Sequence, residues 1–207
     1  MAPVRLVVWS DYLCPWCHLA SARVERLRAD FGARLEIEYR AYLLRPRPRG
    51  PGDPDARHER FVAYTESWQR AAGEADAPVF RTWASAEGPP THSVPAHLAA
   101  KAARRLGEDA FAAMHARLLR AYFEESRDIS ARATQLALWK ELGLAEPGFD
   151  AVDDPALLRE TLGEHDAALE AGATGVPAAM LAGQDAVLVG ALPYESYRRW
   201  IERNLDV

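Results

Sequence analysis

Cysteine is scarce in this chain, with two in 207 residues, at positions 14 and 17. A zinc centre built on them needs two further ligands, drawn from His18, His58, His92, His97, His115, His165 or carboxylates, and these histidines are scattered without ligand spacing. Long apolar runs are missing too. None approaches the roughly 18 residues that a bilayer-spanning helix requires, so no membrane association is expected. The run Leu6 to Trp9 is too short for the apolar region of a signal peptide, and the polar pair Ser10-Asp11 follows at once, which predicts residence in the cytoplasm. Positive charge is not in excess: 25 Lys and Arg against 30 Asp and Glu leave a net charge of −5, which argues against nucleic acid as a partner. No internal repeat or low-complexity run is evident. At 207 residues and 49% hydrophobic, the chain can bury a substantial core as one domain with an insertion.

The two cysteines stand as Cys14-Pro15-Trp16-Cys17, directly after the apolar run Val4 to Trp9, which reads as a buried strand. Ser10 to Leu13 makes a short connection, and Pro15 is the residue preferred at the first position of a helix that runs to about Phe31. Residues three apart on a helix have Cβ atoms about 5 to 6 Å apart, and a disulfide accepts Cα separations of about 4.4 to 6.8 Å, so the pair can open and close with little backbone movement. Cys14 falls at the helix N-terminus, where unpaired N–H groups and the positive end of the macrodipole stabilise a thiolate, the attacking form. Cys17, one turn further in, faces the protein body and is the natural resolving thiol.

Rival readings of the motif are weaker. Cys14 to His18 formally matches the C-x-x-C-H pattern of haem attachment, but that chemistry normally occurs outside the cytoplasm and a strand running straight into the motif is the wrong setting. Two small buried residues without chemistry would not explain the proline at the first helical position. In a reducing compartment a structural disulfide is disfavoured and a catalytic or sensing one favoured. A thioredoxin-like dithiol accounts for all these features.

Elsewhere the chain divides by pattern. Leu35 to Arg40 alternates and reads as a second strand, completing a βαβ unit from Val4 to Arg40. The segment Arg45 to about Ala56 is too rich in Pro and Gly for helix or strand; it reads as a loop bearing arginines, able to attract an acidic partner, although a solvated face is the default for such a run. Helical patches follow from about His58 to Ala72, Val94 to Leu106, Asp109 to Phe123 and Ser130 to Leu142. Their apolar stripes are expected in the core, with Trp68 and Trp83 as candidates to line a cleft over the thiols. A helix from about Asp154 to Ala171 precedes Thr174-Gly175-Val176-Pro177, and Ala178 to Leu181 then reads as a strand turned by Gly183-Gln184 into Ala186 to Val189. Pro177 at a strand mouth leaves one edge free for an incoming chain. A last helix from Pro193 to about Asn204 places Tyr197, Trp200 and Ile201 on one face.

Ser10-Asp11-Tyr12-Leu13-Cys14-Pro15-Trp16-Cys17, the helical middle, and Thr174 to Pro177 followed by a hairpin together resemble the DsbA-like thioredoxin-fold oxidoreductases, in particular their cytoplasmic FrnE-like branch. The resemblance implies an α/β thioredoxin-like fold with a large helical insertion: residues 1–40 and 150–207 form a discontinuous thioredoxin-like domain, and 41–149 the inserted helical domain. It implies a cis Val176-Pro177 bond beside the thiols, with Val176 binding substrate peptide by strand addition. The expected activity is thiol:disulfide exchange that reduces, oxidises or isomerises disulfides. Cys14 and Cys17 are the catalytic pair, Pro15, Trp16, Val176 and Pro177 the substrate-binding residues, and no cofactor or metal is required. Expected partners are disulfide- or thiol-containing proteins and glutathione; oligomeric state stays open. Trp16 stands where the strongly oxidising members carry His, which predicts a more reducing couple, and Val8 stands where they carry a buried acid. His18 is therefore a candidate modulator of proton transfer to Cys17, or simply a helix-surface residue. The first alternative is a glutathione-dependent isomerase or transferase, such as the 2-hydroxychromene-2-carboxylate isomerases and kappa-class glutathione transferases, which commonly replace the first cysteine by Ser. The second is a dithiol module that buffers a soft metal.

Overall fold

A computed structural model describes residues 3–50, 54–86 and 88–205. Strand β1 (Val4–Ser10) is buried from Leu6 onward, and β2 (Leu35–Ala41) alternates between buried and more exposed positions, so one strand lies inside the sheet and the other at its edge. The two are parallel, in register Val4 with Leu35 through Ser10 with Ala41. Parallel neighbours need a crossover, which is helix α1 (Pro15–Phe31). Gly32, at φ 53°, ends it in a left-handed conformation and turns the chain toward β2. Strand β3 (Ala178–Leu181) runs antiparallel to β1, and β4 (Leu188–Val189) antiparallel to β3, giving the order β2-β1-β3-β4. The fold is thus mixed α/β, thioredoxin-like with helices inserted, as the sequence predicts.

Between β2 and β3 lie α2 (Pro54–Thr65), α3 (Gln69–Ala72), α4 (Val94–Arg104), α5 (Glu108–Phe123), α6 (Arg132–Glu141) and α7 (Pro155–Glu170); α8 (Tyr194–Leu205) closes the chain. Strand alternation separates two sheet faces. Leu6 and Val8 join a core shared with α1, α5 and α8, whereas Val7 and Trp9 meet Ala168 and Ala173 at the end of α7. The larger cluster runs without a break from the sheet through Met114, Leu118 and Tyr122 of α5, so the inserted helices and the sheet share one core.

Several boundaries differ from the sequence expectation. Helix α2 starts at Pro54, where the missing proline N–H costs nothing, so the arginine loop is shorter than its composition suggests; residues 51–53 of that loop lie outside the described residues. The patch from His58 to Ala72 is interrupted by a 3₁₀ turn at Glu66–Trp68: the Thr65 hydroxyl donates back to the Val62 carbonyl at 2.7 Å and accepts from the Trp83 N–H at 3.1 Å. Ala186 and Val187 are not in the ladder; in the turn before them Gln184 donates to the Asn204 side chain of α8 at 2.6 Å. Trp68 and Trp83 do not line a cleft over the thiols; they are 0% and 2% exposed and pack on Phe61 and Tyr122.

Candidate active site

The end of β1 delivers the chain to Asp11, whose carbonyl accepts from the Cys14 N–H at 3.2 Å and closes the connection. Cys14 is the N-cap of α1, with φ −96° and ψ 115°, and its carbonyl accepts from the N–H groups of Cys17 and His18 at 3.0 and 3.2 Å. Pro15 follows at the first helical position, where the helix has no use for its N–H. Both thiols are free, and Cys14 and Cys17 approach to 3.3 Å. Cys14 is 5% exposed and Cys17 1%, while Pro15 and Trp16 are half-buried at the rim. Burial, together with the neighbouring Cys14, pushes the Cys17 thiol well above its ordinary range; the Asp11 N–H, 3.5 Å from its Sγ, and the Ser10 hydroxyl pull the other way. Cys17 therefore stays protonated until something removes its proton.

The chain returns to this point from far along the sequence. The Val176-Pro177 bond is cis, and the Val176 carbonyl accepts from Cys14 Sγ at 3.4 Å. Pro177 then leads into β3, where Ala178 and Ala179 are paired on both sides by β1 and β4, while Met180 and Leu181 pair with β1 alone. At the start of β3 the edge inferred from Pro177 is therefore covered by β4, and an added strand meets the segment before it, at Val176.

His18 is not on the helix surface. It is 6% exposed, stacked on Phe123 at 4.9 Å, edge-on to Phe80, and 3.2 Å from the Val79 carbonyl through Nε2. Loss of hydration lowers its imidazole to about 4, so the ring is neutral at ordinary pH.

Asp11 was not singled out by its position in the sequence, although an acid three residues before Cys14 was a visible signal. It is 0% exposed; Oδ1 accepts from the Leu13 N–H at 2.7 Å and Oδ2 from the Leu44 N–H at 2.8 Å. Burial raises its carboxyl, while the Ser93 hydroxyl, those two N–H groups and Arg45 pull it back. Tyr12 beside it donates or accepts at His115 Nδ1 over 2.9 Å, and His115 Nε2 reaches Ser21 at 3.0 Å, pinning the thiol loop to α5. Nothing in local spacing joins Tyr12 to a histidine 103 positions away.

Among the described residues no group of three or more His, Cys, Asp or Glu side chains is placed to hold a metal ion, and no helix is long and apolar enough to cross a membrane.

Known structures share this architecture. A candidate protein disulfide isomerase of Nitrosomonas europaea superposes with a TM-score of 0.79 at 20% identity, over 99% of this chain and 98% of its own. The cytosolic disulfide reductase DsbM of Pseudomonas aeruginosa, solved with GSH, does so at 0.77 and 25%, over 98% and 100%. A 2-hydroxychromene-2-carboxylate isomerase reaches 0.63 at 18%, over 98% of each chain. Among curated proteins no sequence match is found. Residues 5–202 match the DSBA-like thioredoxin domain, and with the thiol-bearing helix N-terminus packed against a cis-proline segment, this chain belongs to that family.

Proposed function

We propose that the protein is a thiol:disulfide oxidoreductase whose working centre is the Cys14/Cys17 pair. The observation that carries this reading is the approach of the two thiols to 3.3 Å at the start of α1, with Cys14 facing the Val176 carbonyl. Cys14 as thiolate attacks one sulfur of a substrate disulfide, forming a mixed disulfide and releasing the other sulfur as a thiolate. Cys17 then loses its proton and attacks Cys14 Sγ; the Cys14–Cys17 disulfide forms and the substrate leaves carrying two electrons. In this direction an external dithiol or two molecules of a thiol such as glutathione re-reduce the pair; the reverse sequence oxidises a substrate dithiol and leaves the pair to be re-oxidised by an external disulfide. Pro15, Trp16, Val176 and Pro177 surround the reacting sulfur and position the substrate. The cytosolic location stated for DsbM supports the same compartment here.

A glutathione-dependent isomerase is the second reading, favoured by the likeness to 2-hydroxychromene-2-carboxylate isomerase in fold. Retention of both thiols weighs against it. Equilibration of the pair in graded glutathione buffers, followed by Trp16 fluorescence and thiol trapping, separates the two. A two-electron transition is expected, near about −270 mV for a reductase and about −120 to −180 mV for an oxidant or isomerase. Absence of an intramolecular disulfide at every ratio would overturn the dithiol reading.

A further inference from the structure

The arginine loop that follows β2 is held in place rather than free. Leu44 N–H donates to Asp11, Arg45 N–H donates to the Ser93 hydroxyl at 3.1 Å, Ser93 N–H returns to the Arg45 carbonyl at 2.9 Å, and Arg49 N–H reaches the Thr91 carbonyl at 3.4 Å. Pro46 and Pro48 stiffen the stretch between these anchors. Asp11 thus fixes both the nucleophile's turn and this loop.

Two clefts flank the loop and share Arg45 and Arg49. One, of about 530 Å³, is lined by Arg45, Arg49, Arg57, Arg60, Phe61 and Tyr64. The other, of about 840 Å³, lies between the loop and α7, with Arg47 on its rim and Leu158 and Leu162 on its floor. Both leucines are 39% exposed. Asp166 is the one carboxylate among the described residues lining either cleft. Nη1 of Arg45 is buried without a hydrogen-bond partner, a donor awaiting an acceptor. Partial desolvation, with Arg45 and Arg57 nearby, pushes the Arg49 guanidinium down. Positive charge is therefore concentrated here on a chain whose net charge is −5.

The α7 groove is connected to the thiol site through packed side chains. His165 on its wall meets Tyr42 edge-on at 4.9 Å, and Tyr42 packs in the same apolar cluster as Val176, whose carbonyl faces Cys14. Resting on the dithiol reading above, we propose that this groove holds the stretch of a polypeptide disulfide substrate that flanks its reacting cysteine, and that it selects stretches combining carboxylates with an apolar side chain. Carboxylates meet the guanidiniums of Arg45, Arg47 and Arg49, and the apolar residue covers Leu158 and Leu162.

The test compares three disulfides under identical conditions: two disulfide-bonded peptides identical except for Glu in one and Gln in the other, and uncharged bis(2-hydroxyethyl) disulfide. Wild-type protein should favour the Glu peptide in kcat/KM by about five- to tenfold at low salt, with the preference collapsing near roughly 0.5 M NaCl. The double variant Arg47→Glu/Arg49→Glu should lose the preference and keep its rate on the uncharged disulfide. Equal turnover of the two peptides by wild type, or a parallel loss on all three disulfides in the variant, would overturn the groove. Fluorescence anisotropy of both peptides on the Cys14→Ser variant reads the groove without thiol chemistry. Tighter binding of the Glu peptide there, with no disulfide turned over by wild type, would uphold the groove and sink the dithiol reading; equal binding would sink the groove itself.

Discussion

Cys14 Sγ donates to the carbonyl of Val176, 162 positions away, at 3.4 Å. The contact sets a thiol at a helix N-terminus against a backbone carbonyl two residues before β3, so whatever bonds to that sulfur lies alongside Val176. On the proposed reading, a peptide paired with Val176 competes with the thiol for this carbonyl.

The two cysteines should therefore separate on substitution. Cys14→Ser is expected to abolish insulin reduction, and Cys17→Ser to accumulate a mixed disulfide with substrate or glutathione, visible as a mass increase that dithiothreitol removes. Retained activity in Cys14→Ser would refute its assignment as nucleophile.

Asp11 carries a second prediction. Its carboxylate accepts from Leu13 and Leu44, and its own N–H faces Cys17 Sγ. Asp11→Asn presents an NH₂ group to one of those two backbone donors and leaves it unpaired, which should cost about 1 to 3 kcal/mol in urea unfolding. The pH profile of exchange should change as well, because a buried titratable group in the turn that carries both cysteines is removed. A variant with wild-type stability and an identical profile would show that Asp11 serves neither end.

The thiol motif and the strand before it were legible because their signals are local: an apolar run, a proline at the first helical position and two cysteines one turn apart. What escaped depends on contacts across the fold. His18 reads as a surface residue on its own helix, and only the arrival of Phe80 and Phe123 buries it. Tyr12 finds its partner on α5, and Trp68 and Trp83 find Phe61 and Tyr122 across the insertion. Gln184 in the turn before β4 engages Asn204 of α8, a contact that no window around the turn contains. Asp11 stood in view beside the motif, but its role needs Leu44, which arrives only after β2 has paired.

Arg23 is the clearest case of such distant bookkeeping. It is 3% exposed on α1; Nη1 donates to the carbonyls of Ala191 and Leu192 at 2.9 and 3.0 Å, while Nε and Nη2 grip Asp76 and Nη2 reaches Glu74 at 2.8 Å. One guanidinium thus joins α1 to the stretch after α3 and to the approach to α8. Lysine offers a point charge without the planar fork. Since both acids are partly exposed, Arg23→Lys should cost about 1 to 3 kcal/mol, most of it from the two stranded carbonyls. Urea unfolding measures the loss, and a midpoint within error of wild type would show that water replaces the guanidinium freely.

The buried histidines give the protein an acid-sensitive stability. Burial lowers His97 and His115 to about 3 and His18 to about 4, against about 6.5 in an unfolded chain. For His97 the nearby Lys101 and for His115 the nearby Arg104 push the same way. Below about pH 6.5 the unfolded chain takes up protons that the folded one refuses, so stability falls as pH falls, by about 1.4 kcal/mol per pH unit for each histidine. The loss continues to about pH 4 for His18 and about pH 3 for the other two. Ordinary carboxylates titrate mostly below this range, so the difference in the slope of urea-unfolding free energy between about pH 6 and 5 for a histidine variant and wild type reports that histidine. His97→Gln should reduce the slope by up to about 1.4 kcal/mol per pH unit whatever it does to stability at neutral pH. A slope that survives unchanged would mean that His97 gains its proton in the folded protein as readily as in the unfolded chain, and the buried ring would then have to be reached by water.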